Sequence, residues 1–286
     1  MKENCLTLVL LKRLTEKYPN FLNKVDAFAG TSTGGIIALG LAHGVPIDKL
    51  IDLYQNRGKD IFHDSLLDDV GDLFGLAGAN YSQDKLKEIC WGLFGNYTLG
   101  DLKKKVLVTS FCLDNKKNGN DRSWGPAIYD NFDDKYKDER LWELCLKTSA
   151  APTFFPTHKN FIDGGVIANC PSVCILADIY KAGYKDGDIK MISFGMGKTI
   201  KYIEGENLDW GIVKYAPYLI DILMDGTAKL ADYQTKQLLE DNYLRINPQT
   251  PKEFKLDGIK EIPEMVNFAQ NYNFTKEEID FIEKVW

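Results

Sequence analysis

The chain has 286 residues, of which 44% are hydrophobic and 27% charged, and its formal net charge is −6. This is the composition of an ordinary globular protein. The negative charge argues against a nucleic-acid binder, because such proteins neutralise phosphates with clustered Lys and Arg. No apolar run reaches the roughly 20 residues that a membrane-spanning helix needs. We therefore expect a single domain over residues 1–286 with no transmembrane segment.

The first residues, MKENCLTLVLLKRLTEKY, carry an apolar pattern of helical period that ends before Tyr18-Pro19-Asn20. Lys12-Arg13 stand where a signal peptide would have small cleavage-site residues, so the segment predicts a helix and no signal peptide. The six cysteines include no Cys-x-x-Cys pair, and we expect neither a metal site nor a cofactor. Small buried thiols suit a reducing compartment, which predicts a cytoplasmic protein.

Strand-like and helix-like segments alternate along the rest of the chain. Strands are predicted at 25–29, 105–111, 189–194 and 243–246, and helices at 34–42, 139–149, 171–180 and 217–239. This alternation predicts an α/β fold with a mostly parallel central sheet covered by helices on both faces.

Two segments have a less regular pattern. Residues 113–138 are dense in Asn, Asp, Lys and Gly, and they predict a long irregular excursion at the surface. Residues 61–81 mix large apolar side chains with Gly and Asp. They predict either a flap over an apolar site or an amphipathic helix packed on the core.

A Gly-x-Ser-x-Gly pentad at 30–34 follows one apolar run and precedes another. A phosphate-binding P-loop is excluded, because Ile36-Ile37 stand where its Lys and Ser/Thr must be. A nucleophile elbow fits better: Ser32 would sit on a sharp strand-to-helix turn, and glycines on either side would let the backbone pass without Cβ clashes. A tight turn without chemistry is the alternative. The predicted elbow comprises Gly30, Thr31, Ser32, Thr33, Gly34 and Gly35.

A nucleophilic serine needs a base, and the three histidines are poor candidates. In α/β-hydrolases the histidine comes late in the chain, whereas His43, His63 and His158 all lie in its first part. Asp163 is the better partner, because Gly164-Gly165 after it permit a sharp turn that points the carboxylate into the site. Contact with the Ser32 hydroxyl and a pKa raised by partial burial would make it an effective base. A plain turn is again the alternative.

Together the two motifs resemble those of patatin-like phospholipases. DAFAGTSTGGIIAL resembles the family's serine block, and TSAAPTFFP followed by FIDGGVIANCP resembles its Asp-Gly-Gly block. Weaker similarity extends over VLVTSFCLDN, MISFGMGK and NYLRINP. The resemblance implies a three-layer α/β/α sandwich and a Ser-Asp dyad that cleaves acyl esters of phospholipids or related lipids through an acyl-enzyme. It gives Ser32 the role of nucleophile and Asp163 the role of general base.

Members of that family begin with a strand and a glycine-rich loop whose N–H groups form the oxyanion hole. This sequence has no glycine before Gly30. We expect either that the strand and loop precede Met1 in the natural protein, or that the chain is an impaired form that binds lipid or a partner. The backbone N–H of Thr33 is the one oxyanion donor that the sequence suggests. Acyl transfer to an acceptor other than water would use the same dyad, and membrane contact is expected to be transient and interfacial, through 61–81.

Overall fold

The computed structural model describes residues 4–57, 81–252 and 261–285. Its α-helices are α1 (Asn4–Lys17), α2 (Thr33–His43), α3 (Ile47–Asp52), α4 (Asp84–Phe94), α5 (Leu141–Thr148), α6 (Gly165–Ala168), α7 (Ser172–Lys181), α8 (Ile212–Leu239), α9 (Ile262–Asn271) and α10 (Lys276–Val285). Its strands are β1 (Ala27–Thr31), β2 (Lys105–Cys112), β3 (Gly125–Asp130), β4 (Phe161–Asp163), β5 (Met191–Phe194) and β6 (Tyr243–Ile246). The predicted flap at 61–81 lies outside the described residues except for Tyr81.

Strand β2 is the centre of a four-stranded sheet. Along one edge it pairs antiparallel with β3. Because β3 occupies that edge from Leu107 to Cys112, β1 and β4 must share the other edge, where β1 pairs parallel up to Thr109 and β4 pairs antiparallel from Ser110 onward. Strands β5 and β6 form a separate parallel pair. The α/β class and the three-layer α/β/α arrangement are confirmed, with a mixed sheet in which antiparallel strands accompany the parallel ones.

The elements beside the site form where the apolar pattern predicts them. Residues 106–108 of β2 are fully buried, as expected for a strand covered on both faces. Helix α2 is apolar on nearly every side, and most of its side chains, including Ile36 and Leu39, are buried. Helix α1 places Leu6 and Leu10 in the same core. The site is therefore built on rigid, buried elements.

The prediction of an irregular excursion at 113–138 is wrong in its middle part. Strand β3 lies there and pairs with β2 over six residues, from Gly125 to Asp130. Ala127 and Tyr129 alternate as its buried positions. Polar and glycine-rich residues on both sides hide this short alternation, and pairing with β2 supplies the hydrogen bonds that the local sequence does not reveal.

Within the described ranges, none of the helices has both the length and the hydropathy to cross a bilayer. All six cysteines fall in those ranges and are thiols rather than disulfides. Cys5, Cys90, Cys145 and Cys170 are buried, as predicted for small apolar side chains.

Candidate active site

The two predicted motifs meet at one point on the edge of β2. Strand β1 ends at Thr31, which pairs with Thr109, and β4 ends at Asp163, which pairs with the next residue, Ser110. Since β1 runs parallel to β2 and β4 runs antiparallel to it, the carboxyl ends of β1 and β4 face each other. Ser32 follows directly after the first of these ends. Sheet register therefore brings together residues that are far apart in the sequence.

Ser32 has the strained backbone of a sharp strand-to-helix turn. Its φ is 57° and its ψ is −130°, a region that residues with a Cβ rarely adopt, and α2 begins at the next residue. Such a conformation costs on the order of 1–3 kcal/mol and persists only where the surroundings enforce it. Thr31 and Thr33 on either side are buried, whereas Ser32 itself is partly exposed.

Glycine is required at two positions of the site by close backbone contact. A Cβ on Gly30 would lie 2.0 Å from the carbonyl oxygen of Gly34, and one on Gly164 would lie 2.5 Å from the carbonyl oxygen of Thr109. The prediction that glycine lets the backbone pass is met at Gly30. At Gly34, by contrast, nothing lies within 4 Å of the Cβ position.

Asp163 is fully buried at the end of β4. Its Oδ1 accepts a hydrogen bond from the Gly165 N–H at 2.7 Å, and its Oδ2 has no hydrogen-bond partner within the described part of the chain. Burial raises the pKa of Asp163 from 3.8 to about 6, against smaller lowering effects from the Ser32 hydroxyl and the Gly165 N–H. The Ser32 hydroxyl therefore lowers the pKa of Asp163, although the geometry between this hydroxyl and Oδ2 is not that of a hydrogen bond.

Thr148, the last residue of α5, ties the two motifs together. Its Oγ1 accepts the Ser32 N–H at 2.8 Å, and its carbonyl oxygen accepts the Gly164 N–H at 3.3 Å. Its side chain also fills the space beside Gly35, where a Cβ would lie 3.0 Å from the Thr148 methyl carbon. The sequence alone does not reveal this role of Thr148, although the segment TSAAPTFFP begins at this residue.

Further hydrogen bonds hold the ends of β1 and β4 in place. The Thr31 Oγ1 lies 2.7 Å from the Thr109 Oγ1 and donates to the Ala168 carbonyl oxygen at 2.5 Å. The Asp163 N–H donates to the Ala150 carbonyl oxygen at 2.9 Å. These bonds hold the end of β1 against α6 and the end of β4 against the residues that follow α5.

His43 and His158 contact aromatic side chains rather than Ser32 or Asp163, and His63 lies outside the described residues. His43 is the last residue of α2, and its ring centroid is 4.4 Å from that of Tyr97. His158 is half-buried, with its ring centroid 6.3 Å from that of Trp142, and burial lowers its pKa.

Comparison with known proteins matches more than half of the chain to one family. A family model described as patatin-like phospholipase matches residues 6–172, a range that includes Ser32 and Asp163. The cGAMP-activated phospholipase of Pseudomonas aeruginosa is 30% identical over 240 residues, covering 80% of this chain and 70% of that protein. Protein teg of Priestia megaterium is 26% identical over 310 residues, covering 98% and 94%. Patatin-like protein 1 of Oryza sativa subsp. indica is 28% identical over 276 residues, covering 79% and 64%.

Proposed function

The chain belongs to the patatin-like phospholipase family, and we propose that it hydrolyses acyl esters of phospholipids or related lipids through a dyad of Ser32 and Asp163. The observation that carries this proposal is the junction on β2, where a strained, partly exposed serine stands at the end of one strand and a buried carboxylate ends the strand that faces it. Lipid acyl hydrolysis is the activity of the family, and the assignment of roles to the two residues is our own inference.

In the proposed first step, the Ser32 Oγ attacks the acyl carbonyl carbon while its proton passes to the Asp163 carboxylate. The tetrahedral oxyanion then collapses, and the alcohol leaves with the proton that Asp163 returns. Water repeats the sequence on the acyl-enzyme and releases the fatty acid, with Asp163 again taking and returning one proton.

The environment of Asp163 supports its role as a base. An ordinary carboxylate, with a pKa near 3.8, accepts a proton from a hydroxyl poorly. Burial raises the pKa of Asp163 to about 6, which increases its basicity while leaving it ionised at neutral pH. The Oδ2 atom, which lacks a partner within the described residues, is the oxygen we assign to proton transfer.

The start of α2 supports a place for the oxyanion. Thr33, the first residue of the helix, follows the nucleophile directly, and its backbone N–H belongs to the turn that carries Ser32. A helix N-terminus favours negative charge through its aligned peptide dipoles. We therefore assign the Thr33 N–H as one oxyanion donor.

The raised pKa of Asp163 predicts a pH profile. The carboxylate is the active form, so kcat/KM on a soluble ester should be constant well above pH 6 and should fall as Asp163 becomes protonated. At pH 5 the value should be about one tenth of the plateau, since about a tenth of a group with a pKa near 6 is then ionised. Quenched assays on a nitrophenyl ester, at pH values from about 4.5 to about 8 on both sides of this midpoint, measure the profile. A midpoint near the ordinary carboxyl value would contradict the assignment.

The proposed activity is tested with purified protein on phosphatidylglycerol vesicles and on a short-chain nitrophenyl ester. We expect release of free fatty acid and lysophospholipid from the first substrate and of nitrophenol from the second. If neither the phospholipid nor the nitrophenyl ester is cleaved, the proposal is overturned, and a protein that binds lipid without cleaving it is favoured. Transfer of the acyl group to added glycerol, with no free fatty acid, would instead identify an acyltransferase.

A further inference from the structure

Helix α8 presents a long apolar stripe to solvent. Leu219, Ile222, Leu223, Leu230 and Tyr233 recur at helical spacing on one side, and between 42% and 63% of each side chain is exposed. Gly226 occupies the remaining position of the pattern, with nothing within 4 Å of its Cβ position. Ile212, at the start of the helix, is 78% exposed and extends the same side. A surface helix ordinarily buries such a stripe.

The helix is held in place by its opposite side. Ala231, Thr235 and Leu239 are buried, and the Thr235 Oγ1 lies 2.7 Å from the Ser172 Oγ of α7. The exposed stripe is therefore not needed for attachment of α8 to the rest of the protein.

The middle of α8 also lies directly over the Asp-Gly-Gly turn. A Cβ on Gly165 would lie 2.4 Å from the Met224 Cε, and the Asn169 side chain donates to the Met224 carbonyl oxygen at 3.3 Å. Met224 directly follows Leu223, which belongs to the stripe. One helix thus connects the turn that carries Asp163 with the exposed apolar surface.

We propose that the exposed stripe of α8 docks on a lipid surface and sets the candidate site against the bilayer from which its substrate is drawn. This inference rests on the proposed function, because a phospholipid substrate is itself part of such a surface. The aromatic side chains at the start of α8 fit an interfacial position: Trp210 packs against Tyr215 and Tyr218, with ring centroids 5.4 Å and 5.9 Å away. Trp and Tyr favour the boundary between hydrocarbon and headgroups.

The charges beside the stripe indicate how it binds. Helix α8 carries both Asp and Lys residues along its length rather than a run of lysines. Docking should therefore depend on burial of apolar surface and only weakly on anionic lipid. This separates the stripe from a polybasic membrane patch.

The test uses the full chain with Ser32→Ala, so that binding is measured without hydrolysis. Flotation with phosphatidylcholine vesicles, with and without phosphatidylglycerol, is compared for this protein, for the same protein carrying Ile222→Gln and Leu223→Gln, and for one carrying Trp124→Gln. Glutamine keeps the helix propensity, and Trp124 is 74% exposed but lies outside α8. The α8 changes should weaken vesicle binding at least about tenfold, with or without anionic lipid, whereas Trp124→Gln should not.

Activity measurements separate failure of this inference from failure of the proposed function. With Ser32 intact, the α8 variant should hydrolyse the soluble nitrophenyl ester at the wild-type rate and vesicle phospholipid at least about tenfold more slowly. Equal vesicle binding and activity in the α8 variant and wild type would overturn the docking proposal while the proposed function stands. A wild-type dimer in sedimentation velocity that the α8 changes dissociate would also overturn it, since a second copy would then cover the stripe.

Discussion

Replacing Ser32 by alanine should lower kcat for ester hydrolysis by a factor on the order of 10⁴–10⁶, and replacing Asp163 by asparagine should lower it by on the order of 10²–10⁴. Alanine removes the nucleophile, and asparagine removes the base while its carbonyl oxygen can still accept the Gly165 N–H. Because the two side chains act as one unit, the double variant should be no slower than Ser32→Ala alone. Steady-state kinetics on a nitrophenyl ester measure all three proteins.

Chemical unfolding of the variants shows whether their losses of activity arise from an unstable fold. Since the pKa of Asp163 in the folded protein lies above its ordinary value, ionisation of this carboxyl destabilises the fold. The stability that the neutral carboxyl provides is fully present below about pH 4 and is lost as the pH rises through about 6. Asp163→Asn should therefore be at least as stable as wild type at pH 8. Wild-type activity in Asp163→Asn, or a further large loss in the double variant, would contradict the dyad.

Replacing Thr148 by valine should lower kcat/KM by a factor on the order of 10², with most of the loss in kcat. Valine keeps the shape but removes the Oγ1 atom that accepts the Ser32 N–H. An unsatisfied buried N–H costs about 1–3 kcal/mol, and the strained turn at Ser32 loses one of the contacts that enforce it. The main-chain bond from Gly164 to Thr148 is unaffected, so the change isolates the elbow. Kinetics and chemical unfolding together measure the effect.

Thr148→Ser is the matched control. Serine retains the hydroxyl and loses only the methyl group that lies beside Gly35. It should therefore restore kcat to within a few-fold of wild type, even though a small cavity lowers its stability. A valine variant with normal kcat would show that Thr148 does not position the nucleophile, as would a serine variant as slow as the valine one.

Local patterns in the sequence predict the elements of the site but not their meeting. The apolar run before Gly30 and the apolar helix after it identify β1 and α2, because each pattern is imposed by burial over a few residues. The Asp-Gly-Gly turn is visible for the same reason. The adjacency of Ser32 and Asp163 depends on which residues of β2 pair with each strand, and register between distant strands leaves no local trace.

Other features depend on contacts across the fold in the same way. The role of Thr148 arises from a hydrogen bond over 116 positions. Strand β3 forms because β2 offers it an edge, although its flanks are polar. The helix that was predicted to begin at residue 217 begins at Ile212, where backbone bonds from Lys214 and Tyr215 to Gly211 close the first turn. The sequence predicts interfacial contact at 61–81, whereas the exposed apolar stripe of the described residues lies on α8.

Reaction with a fluorophosphonate, followed by mass analysis of peptides, shows whether Ser32 is the nucleophile, because this reagent traps a serine whose hydroxyl is activated for acyl attack. We predict one adduct, on the peptide that contains Ser32, with slow formation in Asp163→Asn and none in Ser32→Ala. An adduct on another residue, or equal labelling of Ser32→Ala and wild type, would contradict it.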